Sequence, residues 1–413
     1  MIPDRDASWT WHQDPRAVHI EGKTYLGYVD QRGNIKAYSY NHDADEAREA
    51  ILHANLIRDD HVAPILYERD DGRFICQYAR NETGLLQRIS ARPHDIRNWR
   101  PEQTIGNGDW NYPNPVCYDG DIHLLARAGI EGLSDYEQYR FISSDGGETW
   151  SSPTQVTLFD DRAYLKVASF DDTRYYLALT SATDTQPNQA FCIYYEDGAY
   201  YELDGTQVGT SGLPLTESDL SSLYTVDGDA FGGLRIWDIV TLAADDVRIL
   251  LADVDDTSNH IYKEARWDGS SWAVETIVES GASPVAIAYY SGGLCYAGGD
   301  TDTVYLSQND GGTHEVYTAT RDGGSWPTTQ VTSSSADDQW RPMRVRNGRS
   351  DMPAVWLSVQ DFRTFTKYRQ TVTSELAGTE QPPTPVPPRK NPARDVFGQT
   401  ASGEIIRLRS VRR

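Results

Sequence analysis

Short runs of alternating apolar and polar residues recur along almost the whole chain, and Asp-Gly or Glu-Gly pairs separate them. Four examples are residues 23–29, 73–78, 121–125 and 247–251. Short β-branched and aromatic runs bounded by turn residues are typical of β-hairpins. Helical periodicity is rare, and it predicts only two short helices, at residues 43–53 and 216–223. The pattern therefore predicts an all-β protein with many short strands, as in a sandwich, a barrel or a propeller.

A turn motif indicates which of these architectures applies. Residues 143–150 read S-S-D-G-G-E-T-W and match the Asp-box pattern S-x-D-x-G-x-T-W completely. In such a turn Asp145 accepts backbone N–H bonds, Gly147 takes a positive φ, and Trp150 packs beneath the loop. The motif is structural, so it indicates a fold and not an activity.

Two weaker copies of the motif set the length of a repeat. Residues 320–326 form a shortened copy containing Asp322 and Trp326, and a looser copy surrounds Asp268. The two aspartates are 54 residues apart, which suits one four-stranded propeller blade of about 40–50 residues. Seven such intervals fit into residues 1–378. We therefore expect residues 1–378 to form a β-propeller, with seven four-stranded blades.

The last part of the chain differs in composition. Residues 379–393 are rich in proline and predict a stiff, extended linker. Residues 394–413 are basic, and residues 403–409 alternate like one strand with no partner of its own. Because a lone strand is unstable, we interpret residues 394–413 as a docking tail that binds a virion or another protein assembly. The alternative is a disordered, solubilising tail.

The charge excludes some partners. The chain has 38 basic and 61 acidic residues, a net charge of −23, which repels nucleic acid. No apolar run is long enough for membrane insertion. Lysine occurs only six times, and an acidic, lysine-poor surface suits concentrated salt, so we favour a halophilic source over an ordinary acidic protein from a GC-rich genome. The four cysteines lie far apart without a CxxC spacing, which predicts free buried thiols.

Several runs, read in order, resemble the BNR/Asp-box propeller family that includes ulvan lyases and related polysaccharide lyases. Besides the Asp box, these runs are W-H-Q-D-P-R-A at 11–17, D-D-H-V-A-P at 59–64, N-Y-P-N-P at 111–115, Y-L-K-V-A at 164–168, I-W-D-I at 236–239, V-Y-L-S at 304–307 and W-R-P at 340–342. The resemblance covers about residues 9–372 and implies a seven-bladed propeller.

The resemblance also implies chemistry on uronic-acid polysaccharides, which these lyases cleave by β-elimination. That reaction needs a cation on the carboxylate, a base for the C5 proton and an acid for the departing O4. Two histidines about twenty residues apart, helped by Tyr and Arg, supply much of this in the lyases. His61 matches the first histidine, but Asn81 stands at the position of the second. Tyr112 and Tyr164 are the other candidate catalytic residues.

Further polar residues in the matched regions are candidates for binding a sugar. These candidate substrate-binding residues are Arg80, Asn81, Arg127, Arg140, Lys166 and Arg341. Two alternatives stay open: His61 caps a turn, and Tyr164 and Lys166 face solvent. No cofactor is predicted; paired aspartates suit Ca²⁺, although such pairs are more often solvated charge.

Three functions fit the sequence. The first is a glycan-binding propeller that binds an acidic polysaccharide or cell-surface glycan, as an attachment or decoration protein of a virus infecting a halophilic archaeon. It would be homo-oligomeric in its assembly and lie on the virion surface, since residues 1–6 do not begin a secretory signal. A protein that otherwise acts outside the cell, or a cytoplasmic one, is the alternative location. The second function is an active polysaccharide lyase, and the third is a structural propeller that binds protein.

Overall fold

The computed structural model describes residues 7–80, 84–129, 136–159, 163–181, 187–226, 233–254, 259–285, 290–375, 396–399 and 405–408. In this part of the chain almost all regular structure is β-strand. Its helices are two single 3₁₀ turns, Asp60–Val62 and Glu217–Asp219. No helix of these ranges is long and apolar enough to cross a membrane. The prediction of an all-β protein is confirmed.

Consecutive strands form antiparallel meanders. The first meander is β1 (Ala17–Ile20), β2 (Lys23–Val29), β3 (Ile35–Asn41) and β4 (Glu46–His53). The second is β5 (Ile65–Glu68), β6 (Phe74–Arg80), β7 (Gly84–Arg92), β8 (Asp95–Trp99) and β9 (Gln103–Gly106). The third is β10 (Asp109–Tyr118), β11 (Asp121–Gly129), β12 (Tyr136–Ser143) and β13 (Thr154–Gln155). The fourth is β14 (Leu165–Ser169), β15 (Tyr175–Thr180), β16 (Asn188–Glu196), β17 (Ala199–Glu202), β18 (Gln207–Val208) and β19 (Ser222–Val226). Strand β9 pairs with β7, and β19 pairs with β16, so these two strands do not continue the order of their meanders.

The remaining strands continue this arrangement. The fifth meander is β20 (Leu234–Ala243), β21 (Asp246–Asp253), β22 (His260–Trp267) and β23 (Trp272–Gly281). The sixth is β24 (Leu294–Ala297), β25 (Asp300–Asp310), β26 (Thr313–Thr320) and β27 (Thr328–Gln330). The last is β28 (Asp338–Arg349), β29 (Met352–Thr364) and β30 (Lys367–Thr373). A separate hairpin follows, β31 (Val396–Gln399) and β32 (Ile405–Leu408).

The first strands of the meanders follow one another around a closed ring. In the described ranges β1 contacts β5, β5 contacts β10, and the sequence continues through β14, β20, β24 and β28. The ring closes where β28 pairs in parallel with β1, with Ala17 opposite Val345. Each first strand therefore lies nearest the axis, and its meander extends outwards. This is the architecture of a β-propeller.

The N-terminal segment fastens the ring. The amide of Ala7 donates to the Gln370 carbonyl of β30 (3.0 Å), and Ser8 exchanges two backbone hydrogen bonds with Val29 of β2. Because this N-terminal segment links β30 to β2, a contact that is distant in sequence holds the first and last meanders together.

The last meander has three described strands instead of four. The prediction of seven four-stranded blades therefore stays a prediction.

The Asp box packs one meander against the next. Asp145 Oδ1 accepts from the Thr149 amide (2.9 Å), and Asp145 Oδ2 accepts from the Thr149 hydroxyl (2.6 Å). Gly147 has φ 88°, and a Cβ there would lie 2.4 Å from Ile75 of β6. The indole of Trp150 donates to Gln87 Oε1 of β7 (3.2 Å). The box thus joins the third meander to the second.

The shortened copy near residue 322 is weaker. Asp322 and Ser325 exchange two backbone hydrogen bonds, and the Ser325 hydroxyl donates to the Asp322 carbonyl (2.7 Å). Within the described ranges the Asp322 carboxylate makes no hydrogen bond to this turn. Trp326 is nevertheless buried, and the Arg321 guanidinium lies 4.7 Å from its ring centre. The Trp packing survives in this copy although the Asp hydrogen bonds do not.

Two of the local predictions from sequence are wrong. Residues 43–53 do not form a helix: Glu46–His53 is strand β4, paired with β3. Hydrogen bonding to an existing sheet edge outweighs the helix propensity of E-A-R-E-A. Residues 216–223 form only the 3₁₀ turn Glu217–Asp219, and strand β19 then begins at Ser222.

Two further predictions concern the tail and the cysteines. The tail strand is not without a partner, because Ile405–Leu408 pairs with Val396–Gln399 as an antiparallel hairpin. The linker, residues 379–393, lies outside the described residues. All four cysteines are free thiols, and those of β6, β16 and β24 are buried, which confirms the prediction of unpaired cysteines.

Replacing Asp145 by Ala should lower the free energy of unfolding by about 1–2 kcal/mol, since it removes side-chain hydrogen bonds worth about 1 kcal/mol each. The bonds to Thr149 lower the pKa of Asp145 to about 2. This stabilisation is therefore present above the ordinary carboxyl pKa and is lost as the pH falls towards 2. Urea unfolding of D145A and of the matched control D322A, at pH 7 and in acid, checks this. An equal loss in both variants would contradict it.

Candidate functional site

The first strands bend where they enter one end of the ring. Strand β10 has a bulge between Asn111 and Asn114, and β28 has one between Trp340 and Met343. Within these bulges Tyr112 (φ 56°) and Arg341 (φ 50°) adopt a left-handed backbone, and a proline follows each. Bulges redirect side chains, and left-handed non-glycine residues cluster at functional sites. In the sequence, the N-Y-P and W-R-P runs mark the positions of these two bulges.

Five side chains meet at this end of the ring, and we call them the aromatic mouth. They are His12, His61, Tyr112, Arg127 and Tyr164. His12 lies in the segment before β1, and His61 belongs to the turn before β5. Tyr112 is in β10 and Arg127 in β11, whereas Tyr164 comes just before β14. The ring closure, and no local pattern, brings these residues together.

Arg127 is held by aromatic rings. Its guanidinium carbon lies 4.7 Å from the ring centre of Tyr112, 4.8 Å from Tyr164 and 5.0 Å from Tyr136. The residue is 6% exposed, and its buried Nε and Nη1 have no hydrogen-bond partner among the described residues. Cation–π contacts hold the cation in place but leave N–H donors unused. Guanidinium N–H groups without a partner are strong donors for an anionic acceptor.

The two tyrosines on either side of Arg127 differ in acidity. Burial raises the pKa of Tyr112 well above the ordinary value. Burial acts in the same direction on Tyr164, but Arg127, Arg235 and a hydrogen bond from Arg127 outweigh it and lower the pKa of that phenol. The cluster therefore contains one phenol that keeps its proton and one that gives it up more readily.

His12 stacks on Tyr164, with ring centres 4.1 Å apart and planes at 15°. Burial, and then the positive charges of His61, Arg127, Lys166 and Arg235, lower the pKa of His12 well below its ordinary value. The imidazole is consequently neutral near pH 7. His12 is thus a neutral histidine that stacks on Tyr164, and it is not among the site residues predicted from the sequence.

His61 has the opposite charge state. Its Nδ1 lies 2.7 Å from Asp59 Oδ1 and 2.9 Å from Asp60 Oδ1. Burial alone would lower the pKa of His61, but the two carboxylates outweigh it and raise that pKa to about 10. The amide of His61 also donates to Asp59, which caps the 3₁₀ turn. The His61 side chain is therefore a protonated donor near pH 7. The turn-capping alternative applies to the backbone amide of His61, which donates to Asp59.

Asp60 is fully buried and connects His61 to Arg341. Arg341 Nη1 donates to Asp60 Oδ2 (2.7 Å) and to the Trp9 carbonyl (2.6 Å). The ligand atoms of Asp59, Asp60 and His61 lie within 4.8 Å of one another and could hold a metal ion. Arg341 and protonated His61 already neutralise these carboxylates, so a cation would have to displace them. Ca²⁺ binding here stays a prediction.

Lys166 lies beneath the aromatic mouth and is 2% exposed, so the solvent-facing alternative is wrong for this residue. Its Nζ contacts Asp14 Oδ2, and burial lowers the pKa of Lys166 to about 8. Asn114 links this pair to the mouth: its Oδ1 accepts from the Asp14 amide, and its Nδ2 donates to the carbonyls of His12 and Tyr112.

The structure does not bring every candidate residue to the mouth. Arg140 lies in an outer strand, where Tyr175 and Tyr200 accept from it and its guanidinium lies 4.4 Å from the Tyr195 ring centre. Asn81 lies outside the described residues, and the side chain of Arg80 does too. The replacement of the second histidine by Asn81 is thus a feature of the sequence only.

The fold and this site define an all-β propeller with a cationic, tyrosine-rich mouth at one end of its axis. A family described as "BNR repeat-containing family member" matches residues 23–280, and the chain belongs to that family. No curated protein sequence matches the chain.

Solved structures of polysaccharide lyases are similar in fold. An ulvan lyase of family PL25 has a TM-score of 0.69 at 14% identity, over 89% of this chain and 94% of its own. A PL25 ulvan lyase bound to -[GlcA(1-4)Rha3S]- has the same TM-score and identity, over 90% and 93%. The polysaccharide lyase Uly1 has a TM-score of 0.57 at 11% identity, over 88% and 90%. At these identities the similarity shows the fold.

The charge of His61 can be measured. Because its pKa is raised to about 10, folding is stabilised fully below the ordinary histidine pKa, and this contribution is lost as the pH rises through 10. Asp59→Asn should lower the pKa of His61 but leave it above the ordinary value, since Asp60 still faces the ring. Histidine NMR titration checks this. His123, whose burial lowers its pKa to about 4, is the internal control. An unchanged His61 titration in D59N would contradict the assignment.

Proposed function

We propose that this chain binds acidic, uronate-bearing polysaccharides at the aromatic mouth, with Arg127 receiving the carboxylate. The observation that carries the proposal is the Arg127 guanidinium, fixed between Tyr112 and Tyr164 with two N–H donors unused. A planar guanidinium binds a carboxylate through two parallel hydrogen bonds, and the neighbouring phenyl rings offer surfaces to a sugar.

The local charge supports an anionic ligand. The whole chain carries a net charge of −23. At the mouth, by contrast, the cations that act on His12 are His61, Arg127, Lys166 and Arg235. The two carboxylates near His61 are already paired with it and with Arg341. An acidic polymer is therefore repelled by most of the surface and attracted at the aromatic mouth.

The similar structures support the sugar class. One of the PL25 ulvan lyases is described as bound to -[GlcA(1-4)Rha3S]-, a repeat that contains a uronic acid. The chain shares the fold of that enzyme along most of both lengths. A uronate-containing glycan is accordingly the first ligand to test.

A second candidate function is lyase activity, and the lowered pKa of Tyr164 favours it. In β-elimination, Arg127 would neutralise the uronate carboxylate so that the C5 proton becomes acidic. The Tyr164 phenolate would accept that proton, the C4–O4 bond would break as the C4–C5 double bond forms, and a donor would protonate O4. Protonated His61 is the available donor. Lys166 is less suited to the carboxylate because Asp14 already pairs with it.

We also propose a finer role, a carbohydrate-attachment protein of an assembled particle, such as a virion that infects a halophilic archaeon. The acidic, lysine-poor composition and the basic segment 394–413 support it. Display of many copies would strengthen weak sugar binding through avidity. A pull-down of the chain, with and without residues 394–413, from disrupted particles would test the docking; equal retention of both forms would contradict it.

Binding is tested with a uronate-rich polysaccharide in molar salt. Arg127→Gln should weaken binding by about ten- to hundredfold, since a charge-assisted pair contributes about 1.5–3 kcal/mol. Arg140→Gln, which alters a cation of β12 outside the mouth, is the matched control and should leave affinity unchanged. Isothermal titration calorimetry measures both. Equal losses in R127Q and R140Q, or no binding by the wild type, would reject the proposal and favour a propeller that binds protein.

Catalysis is tested on the same polysaccharide by the ultraviolet absorbance of the unsaturated uronate product. Wild-type turnover that is abolished in Tyr164→Phe and retained in Tyr112→Phe would establish the lyase with Tyr164 as the proton acceptor, because Phe lacks the hydroxyl but keeps the ring. No absorbance change in the wild type, together with binding that R127Q loses, would leave a glycan-binding propeller without lyase activity.

A further inference from the structure

The other end of the ring holds a separate cavity, which we call the lower mouth. It has a volume of about 410 Å³ and lies where the first strands of the meanders end. Its lining includes Leu66 of β5, Ile239 of β20, Ala297 of β24, and Arg344 and Arg346 of β28. None of these residues belongs to the aromatic mouth.

Buried charges separate the two mouths. Asp14 contacts Lys166, and its Oδ1 lies 3.4 Å from Arg16 Nε. Further along the axis, Asp238 Oδ1 lies 3.0 Å from Arg344 Nη2. These ion pairs lie between Tyr164 of the aromatic mouth and the lower mouth. A ligand in the lower mouth would therefore be distinct from a sugar at the aromatic mouth.

Arg346 is the unpaired cation of the lower mouth. No ion pair or side-chain hydrogen bond joins it to another residue of the described ranges, although its side chain lines the cavity. Its neighbour Arg344 is paired with Asp238 and also donates to the Ile239 carbonyl (3.3 Å). Glu68 lines the same cavity, but His94 Nε2 already contacts it at 2.8 Å. The Arg346 guanidinium thus has N–H donors available, and no carboxylate of the described ranges forms an ion pair with it.

The charge balance around this cavity leaves an excess of cations. Burial, and then the positive charge of Arg344, lower the pKa of Arg346, while Asp14 and Asp238 oppose this. Four cations, Arg16, Lys166, Arg344 and Arg346, are set against three carboxylates: Asp14, Asp238 and Glu68, and Glu68 also contacts His94. Burial also raises the pKa of Asp238, which favours its neutral form further. An anion in the cavity would relieve the repulsion between neighbouring guanidinium groups.

We propose that the lower mouth binds an oxyanion, a carboxylate or a sulfate, through Arg346. The cavity volume is in the range of small-ligand sites, about 300–1,000 Å³, so the anion can belong to a molecule as large as one sugar unit. Apolar side chains of Val18, Leu66, Ile239 and Val240 line the wall beside the arginines. They suit the apolar face of a sugar acid. This site does not depend on the polysaccharide function proposed for the aromatic mouth.

The test measures binding of sodium sulfate and of monomeric sodium glucuronate at constant ionic strength. Each should raise the midpoint of thermal unfolding of the wild type saturably, because a ligand bound only by the folded state stabilises it. Arg346→Gln should weaken the affinity by about ten- to hundredfold, as expected for loss of a charge-assisted pair. Since Arg346 has no protein partner to leave unpaired, the variant should fold. Arg346→Lys, which keeps the charge, should retain part of the affinity.

Two controls separate this site from the others. Arg349→Gln changes an exposed arginine at the end of the same strand and should keep wild-type affinity for sulfate and glucuronate. The Arg346→Gln change is also measured in the Arg127→Gln background, where the anion-binding group of the aromatic mouth is absent, and it should still weaken the affinity by about ten- to hundredfold. A shift with glucuronate but not with sulfate would identify a sugar acid as the source of the anion, and the reverse would identify a free inorganic anion. Equal affinities in R346Q and wild type, or a loss in R349Q as large as in R346Q, would overturn the proposal.

Discussion

The ion pair between Arg341 and Asp60 lies where three distant parts of the chain meet. Arg341 belongs to the last meander, and Asp60 belongs to the turn before the second meander. The Arg341 guanidinium also donates to the carbonyl of Trp9, which lies in the N-terminal segment. Both charged groups are almost completely buried, so removal of either one would leave the other uncompensated. The pair fixes Asp60 against His61, and it is one reason why that histidine is charged. Ring closure and the charge state of the site therefore depend on the same contact.

The aromatic mouth shows how a few buried charges give identical side chains different properties. Tyr112 and Tyr164 both contact Arg127, yet the pKa of one phenol is raised and that of the other lowered. His12 and His61 likewise have opposite pKa shifts, because His12 is surrounded by cations and His61 by carboxylates. Acid and base functions are set by such differences in surroundings. The mouth consequently offers a neutral imidazole, a charged one and an acidified phenol within one cluster.

Several buried cations lie along the propeller axis, although the whole chain carries a net charge of −23. The surface is strongly acidic, whereas the channel contains buried lysine and arginine side chains that are only partly matched by Asp14 and Asp238. Desolvated cations attract anions far more strongly than exposed ones, since the effective dielectric constant is lower. The ion pairs of Asp14 and Asp238 lie between the two mouths, so paired charges separate the cations at the two ends of the axis.

The all-β class, the Asp-box turn and the free cysteines could be predicted from the sequence, because turn chemistry and strand alternation are local. The sequence also singled out Arg127 and Tyr164, although only as members of matching runs. The sequence pattern predicted a helix for residues 46–53, but pairing with β3 overrides helix propensity there. It did not predict His12 as a site residue, because the role of His12 depends on its stacking against Tyr164. Tertiary structure alone decided which cations are paired and which are free. Charge state depends on distance and burial, and both are fixed only when the ring closes.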